Sequence, residues 1–145
     1  MPRFRHSLVA ALLAVLSMST LAAIPAIVYK SPTCGCCEDY VSYLKQNGFA
    51  VTAINTDDMS RIEKQFHVAP EMASCHTVKI GNYVVEGHVP VAAIKRLLTE
   101  KPHILGLSIP GMPQHAPGMG TYQPGTLDVY ELTADGRTGV LYGRF

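Results

Sequence analysis

A short apolar run followed directly by three clustered cysteines constrains the fold of this chain more than any other sequence feature. Residues 26–30, AIVYK, favour a buried β-strand, and Ser31-Pro32 ends the run. Beyond it, apolar side chains recur at i, i+3, i+4 and i+7, which is one face of a helix. These helical positions are Cys37, Tyr40, Val41 and Leu44. The pattern predicts a strand, a turn and a helix, with the thiols of TCGCC in the first helical turn and Thr33 as its N-cap.

The remaining elements follow a regular order. The patterns predict a strand at 49–54, a short helix after Asp57-Asp58, strands at 74–80 and 83–89, and a helix opened by Pro90. The order β-α-β-α-β-β-α predicts a thioredoxin-like α/β domain. From 104 to 125 the chain is rich in Gly, Pro and Met, which predicts a long loop, and residues 126–145 predict a final hairpin around Asp135-Gly136.

The N-terminus has the pattern of an export signal. Arg3 and Arg5 precede an apolar run at 7–21, and small residues follow at Ala22 and Ala23. We predict a signal peptide at 1–23 and a single domain at 24–145; the alternative is an uncleaved N-terminal anchor. Removing Arg3 and Arg5 changes the formal net charge from +1 to −1. That balance gives no basic footprint for nucleic acid, and we expect no membrane association after cleavage.

The four cysteines, Cys34, Cys36, Cys37 and Cys75, allow three interpretations. A thiol at a helix N-terminus is favoured as thiolate, the form that attacks disulfides and binds soft metals. Cys34 and Cys37 have the C-x-x-C spacing of a redox pair, and a structural disulfide is also open. Cys36 is a third thiol that a dithiol enzyme does not need. Several thiolates on one arc suit a soft ion such as Cu(I).

Strand directions predict where Cys75 lies. If the third strand runs antiparallel to the first, its beginning meets the end of the first strand, where the clustered cysteines follow. Cys75 stands at that beginning, and His88 at the end of the next strand. Thioredoxin-type enzymes carry a cis-proline before the third strand, whereas this chain has ASCHT there. The absence of a covering proline favours a metal site.

Histidines and methionines supply further candidate ligands. His88 is a candidate ligand or a supporting group, and Glu86 on the same strand face is a candidate acceptor for a histidine N–H. Strand alternation predicts that His76 points away from Cys75 and supports the site from outside. The loop IPGMPQHAPGMGTY adds Met112 and Met119, whose thioethers are soft ligands suited to Cu(I).

Three segments together resemble one known family. YKSPTCGCCEDYVSYL, MASCHTVKIGNYVVEGHVP and GLSIPGMPQHAPGMG are similar, in this order, to the CopG-like family of exported bacterial copper-resistance proteins. The resemblance spans roughly residues 26–120 and implies a thioredoxin-like fold, a periplasmic location and copper held by cysteine thiolates. The family motifs fall on Cys34, Cys36, Cys37, Cys75, His76, Thr77, Glu86 to Pro90, Met112 and Met119. Between the two Pro-Gly-Met units this chain departs from the pattern with Gln114-His115-Ala116, so His115 is either an added ligand or incidental.

We therefore predict an exported, periplasmic copper-binding protein for copper resistance rather than an enzyme. Its predicted copper ligands are Cys34, Cys36, Cys37, Cys75, His88, Met112 and Met119. Several Cu(I) ions sharing thiolates would relieve the negative charge that four thiolates would place on one ion. The alternative is a periplasmic thiol-disulfide or copper oxidoreductase in which Cys34 attacks and Cys37 resolves. Expected partners are copper ions and other copper-efflux or copper-resistance proteins; a chaperone that delivers copper to a membrane pump would use the same site.

Overall fold

The computed structural model describes residues 22–135 and 137–145. The predicted signal peptide falls almost entirely outside these residues, and the division at residue 23 stays a prediction. Within the described part of the chain, no helix is both long enough and apolar enough to cross a membrane.

Across residues 22–135 and 137–145, seven strands, three α-helices and one 3₁₀ turn make a mixed α/β fold, which confirms the predicted fold class. The first half of the chain gives β1 (Ile24–Lys30), α1 (Gly35–Gln46), β2 (Phe49–Asn55), α2 (Met59–Gln65) and the 3₁₀ turn (Pro70–Met72). The second half gives β3 (His76–Ile80), β4 (Tyr83–Glu86), α3 (Val91–Glu100), β5 (Gly106–Ser108), β6 (Asp128–Leu132) and β7 (Leu141–Arg144). The β-α-β-α-β-β-α order predicted for the first seven elements is observed, while the more specific thioredoxin-like assignment stays a prediction.

All seven strands form one sheet in the order β2-β1-β3-β4-β5-β6-β7. Strand β1 is parallel to β2 and antiparallel to β3, and β3 is antiparallel to β4. The register places Lys30 opposite His76 and Thr77 opposite Glu86. The end of β1, the beginning of β3 and the end of β4 therefore meet at one edge of the sheet.

Helices cover both faces of the sheet. Helices α1 and α3 bury Tyr40, Leu44, Ile94 and Leu97 against inward-facing strand residues such as Val85. A smaller cluster that includes Val84 and Met72 lies on the opposite face, next to the 3₁₀ turn. Val84 and Val85 belong to different clusters because successive strand residues point to opposite faces.

The helix ends depart in detail from the sequence prediction. The N-cap of α1 is Cys34, not Thr33, and it makes no side-chain capping bond. At α2, the N-cap is Asp58, whose carboxylate accepts the Arg61 backbone N–H at 3.0 Å. The N-cap residue of α1 is therefore a cysteine.

The predicted loop at 104–125 was partly wrong, because it contains β5. This strand pairs in parallel with β4 and antiparallel with β6, so it joins the C-terminal hairpin to the main sheet. A Cβ at Gly106 would lie 1.6 Å from the Val84 carbonyl oxygen, so only glycine fits this approach. The predicted hairpin is observed as β6 and β7.

Candidate metal centre

Three segments of the chain bring the cysteines together. Cys34 caps α1, Cys36 and Cys37 lie in its first turn, and Cys75 immediately precedes β3. The pairing of Lys30 with His76 places the end of β1 beside the start of β3. The predicted convergence of Cys75 with the cysteine cluster is therefore observed.

The four sulfurs form one compact group. All four Sγ atoms lie within 4.8 Å of one another. Cys34 and Cys37 are joined by a disulfide with Cα atoms 5.3 Å apart, while Cys36 and Cys75 are free thiols. The Cys36 Sγ lies 3.5 Å from the Cys34 Sγ and 4.0 Å from the Cys75 Sγ. Reduction of the disulfide would leave four thiols on a small arc, a donor set that suits a soft ion.

Cys75 also belongs to a second group of potential ligands. Its Sγ lies 3.1 Å from His88 Nε2 and 3.3 Å from His76 Nδ1, and the donor atoms of the three residues lie within 4.8 Å of one another. The expectation that strand alternation separates His76 from Cys75 was wrong. Cys75 precedes the first residue of β3, so its backbone is outside the alternating strand. Cys75 thus lies where a thiolate could bridge the sulfur group and the two imidazoles.

The orientation of His88 is set by a backbone carbonyl. Its Nδ1–H donates to the Pro117 oxygen at 2.7 Å. A carbonyl only accepts, so the proton must be on Nδ1, which leaves the Nε2 lone pair directed at Cys75 in the neutral ring. Burial lowers the pKa of His88, against the opposing effect of the Pro117 bond. His88 is therefore held as a neutral imidazole with a free donor atom facing the sulfur.

His76 and Cys75 are both buried enough to resist charging. Desolvation, with the nearby His88 ring, lowers the pKa of His76 to about 3. Desolvation, and to a smaller extent the nearby Cys36 sulfur, raises the pKa of Cys75 to about 12. The His76 ring packs at a tilt against Tyr40 with ring centroids 4.5 Å apart, and its Nε2 has no hydrogen-bond partner among the described residues. A bound metal cation would favour the Cys75 thiolate, because its positive charge offsets the cost of burying the negative sulfur.

Glu86 holds the segment that carries Cys75. Its carboxylate accepts the Ser74 backbone N–H at 2.8 Å and the Thr77 hydroxyl at 2.7 Å. The idea that Glu86 accepts a histidine N–H was wrong, because Pro117 has that role at His88. Burial raises the pKa of Glu86 to about 8 despite these two bonds, which lower it. The fully buried carboxyl thus holds the Ser74 backbone before Cys75 and the Thr77 side chain after His76.

The Pro-Gly-Met loop approaches the centre unevenly. Its second unit lies against α1, since a Cβ at Gly118 would be 3.0 Å from the Cys36 carbonyl oxygen. Met119 follows it and packs against the main core. Met112 is 57% exposed, and His115 is exposed with φ of 78°. Ligation by His88, Met112 and Met119 stays a prediction, and of the three, His88 has a donor atom beside a cysteine sulfur.

Sequence reasoning missed two features of the centre. The Pro117 carbonyl has no side-chain signature, so no residue pattern could have shown that it orients His88. Lys30 is 1% exposed, and its ammonium pairs with Glu38 in the first turn of α1. The one available signal for Lys30 was its place at the end of a buried apolar run, where a charged residue is unusual.

The chain is similar to one protein-family model and to solved structures. A family model described as "Protein of unknown function, DUF411" matches residues 72–119. A solved structure described as "Copper resistance protein copG- Form 2" is 37% identical, with a TM-score of 0.75, covering 85% of this chain and 98% of that one. Another, "Copper resistance protein copG- Form 1", is 38% identical with a TM-score of 0.73, covering 83% of this chain and 98% of that one. No curated protein matches the chain.

Proposed function

Because this chain belongs to the CopG family of copper resistance proteins, we propose that it binds copper in copper resistance or homeostasis. The proposed ligands are the thiolates of Cys34, Cys36, Cys37 and Cys75. The observation that carries the proposal is the single sulfur group, with all four Sγ atoms within 4.8 Å of one another. Three of these residues lie at the start of α1, but the fourth comes from the segment just before β3, so the fold itself brings the four sulfurs together.

The donor chemistry favours Cu(I). Thiolates and thioethers are soft ligands and select Cu(I) over hard divalent cations. Four thiolates around one monovalent ion would carry a large net negative charge in a half-buried site. Several ions that share bridging sulfurs would relieve it, and Cys75, which lies beside both Cys36 and the two imidazoles, is placed to bridge. We therefore propose a cluster of more than one Cu(I), with His88 as an additional ligand.

Copper quantitation tests this proposal. The full chain would be reduced under anaerobic conditions, titrated with Cu(I), desalted and assayed for copper per chain. We expect more than one tightly held copper per chain. One copper per chain would rule out the shared cluster, and none would overturn copper binding altogether.

Single substitutions then test the ligands. Cys36→Ser should lower the number of bound copper ions, because this thiol lies between Cys34 and Cys75. His88→Ala should weaken copper binding by about tenfold or more, the usual effect of losing one group from a metal site. His103→Ala removes an exposed histidine away from the cysteines and serves as the matched control. Equal effects of the two histidine substitutions would contradict ligation by His88.

A thiol-disulfide or copper oxidoreductase is the second candidate. The specific observation in its favour is the disulfide between Cys34 and Cys37 at the start of α1. In such an enzyme Cys34 would attack and Cys37 would resolve the mixed disulfide. An insulin-reduction assay on the metal-free protein separates the two functions: rapid turnover that survives Cys36→Ser would favour the enzyme.

We also propose that the protein acts in the periplasm. The basic, then apolar, then small-residue pattern of residues 1–23 supports export to the periplasm. Fractionation of cells that express the full chain would test it. We expect a mature form without the first residues in the periplasmic fraction.

A further inference from the structure

Lys30 is a buried cation at the end of β1, shortly before the first of the clustered cysteines in sequence. Its side chain is 1% exposed, whereas lysine is almost never fully buried without a partner. Its Nζ donates to the Ser31 carbonyl at 3.2 Å and pairs with a Glu38 carboxylate oxygen. Across residues 22–135 and 137–145, Glu38 is the one carboxylate within ion-pair distance of this ammonium.

Lys30 lies on the face of the sheet that α1 covers, beside the start of β3. Directly opposed residues in an antiparallel pair project to the same side of the sheet, so Lys30 and His76 share a face. His76 packs against Tyr40 of α1, so this face is the one that α1 covers. The Lys30 backbone thus pairs with the start of β3, and its ammonium contacts the turn before Cys34 and the first turn of α1.

Two physical costs oppose a lysine in this position. Removing an ammonium from water is expensive unless nearby negative charge offsets it. The N-terminal end of a helix carries partial positive charge, so α1 repels the cation. Glu38 alone is a weak offset, because its side chain is 60% exposed and solvent screens the pair. A cluster of thiolates with net negative charge in the same helical turn would supply the remaining offset.

We propose that Lys30 is the charge-compensating residue of the cysteine group, and that Glu38 competes with the thiolates for its ammonium. The inference rests on the proposed function, since it assigns Lys30 to the same copper site. In the reduced protein the ammonium favours the thiolates that hold Cu(I). Lys30 acts on the bound metal through this charge and is not itself a ligand.

Opposite effects of two substitutions form the test. Lys30→Leu removes the charge without adding a sulfur donor, and should weaken Cu(I) binding by about tenfold, as one charge would across several ångströms of partly polar medium. Glu38→Gln removes the competitor and should tighten binding by a few-fold. The double variant should lie between them. Lys30→Arg retains the charge and should restore most of the affinity, and Lys45→Leu, at the other end of α1, controls for net charge.

The readout is Cu(I) affinity of the reduced full chain, measured by competition with a chromogenic Cu(I) chelator. Glu38 is exposed, so Glu38→Gln should fold even if Lys30→Leu does not. If Glu38→Gln weakens binding or leaves it unchanged, the pair is only structural and the inference is overturned. Failure of the wild-type chain to bind Cu(I) would instead overturn the proposed function, so the two failures are distinguishable.

Discussion

The buried Glu86 carboxyl should make the stability of the metal-free protein fall as the pH rises, and Glu86→Gln should remove that effect. Glutamine can keep both contacts, since its amide oxygen can accept the Ser74 N–H and its amide nitrogen can donate to Thr77. The substitution therefore removes a titrating group with little change in packing. The Glu86→Gln variant thus separates the effect of the carboxyl charge from the effect of its hydrogen bonds.

The magnitude follows from linkage. Burial raises the pKa of Glu86 to about 8 from an ordinary value of 4.5. Between these values the folded state binds a proton that the unfolded state has lost, so the free energy of unfolding falls by up to about 1.4 kcal/mol per pH unit. From pH 6.5 to 8 we expect a loss of about 1.6 kcal/mol in the wild type, because the slope halves as the pH reaches the folded pKa. The buried His76 has its pKa lowered from 6.5 to about 3, so its contribution to stability is fully present above pH 6.5 and is lost only as the pH falls below that value. His76 therefore adds little to the pH dependence between pH 6.5 and pH 8.

The assay is urea unfolding of the reduced, metal-free chain, followed by circular dichroism at several pH values from 6 to 8. The difference between wild type and Glu86→Gln cancels the contributions of groups common to both. Glu71→Gln, an exposed carboxylate in the 3₁₀ turn, is the control and should keep the wild-type slope. If wild type and Glu86→Gln show the same pH slope, the Glu86 carboxyl is ionised in the folded protein and the reasoning is refuted.

Two further substitutions test packing around the centre. Tyr40→Phe removes the hydroxyl that donates to the Val89 carbonyl at 2.6 Å. Because a buried acceptor then loses its partner, the free energy of unfolding should fall by about 1–3 kcal/mol. Urea unfolding measures this change, and an unchanged midpoint would contradict the prediction. Gly118→Ala places a Cβ 2.9 Å from the Tyr40 backbone nitrogen at φ of 83°, and should cost about 1–3 kcal/mol while weakening copper binding. Gly125→Ala, with φ of 79° but open space around its Cβ, separates strain from contact: if it lowers copper affinity as much, displacement of the loop from α1 is not the cause.

Periodicity was sufficient to predict the main elements. The i, i+3, i+4, i+7 spacing from Cys37 to Leu44 gave α1, and all four of these side chains are buried. The short run ending at Lys30 gave β1. These patterns succeed because each element buries one face against the same core, so its apolar period survives in the sequence.

Strand β5 could not be predicted in the same way. It has three residues and is buried throughout, so it shows no alternation. Its glycine is needed because the Val84 backbone approaches closely, a contact that only the folded structure shows. Composition suggested a loop because Gly and Pro surround this short strand.

The candidate site was predictable to the extent that strand direction positions residues. The meeting of Cys75 with the clustered cysteines followed from an antiparallel third strand, and so did the nearness of His88. The contacts that orient His88 and hold the Cys75 segment could not be predicted from strand direction. The bond between His88 and the Pro117 carbonyl depends on the path of a loop, and the contacts of Glu86 depend on whether the Ser74 backbone and the Thr77 hydroxyl lie within reach.

The separation of Cys75 from its partners along the chain links copper binding to folding. An unfolded chain still holds Cys34, Cys36 and Cys37 within one short peptide, but it lacks the fourth sulfur until β1 pairs with β3. Unfolded and folded chains would therefore bind the metal with different strength, and copper would stabilise the fold by that difference alone. A local opening of the β1–β3 pair would leave a three-thiol peptide, so such opening would set how quickly the protein exchanges its metal.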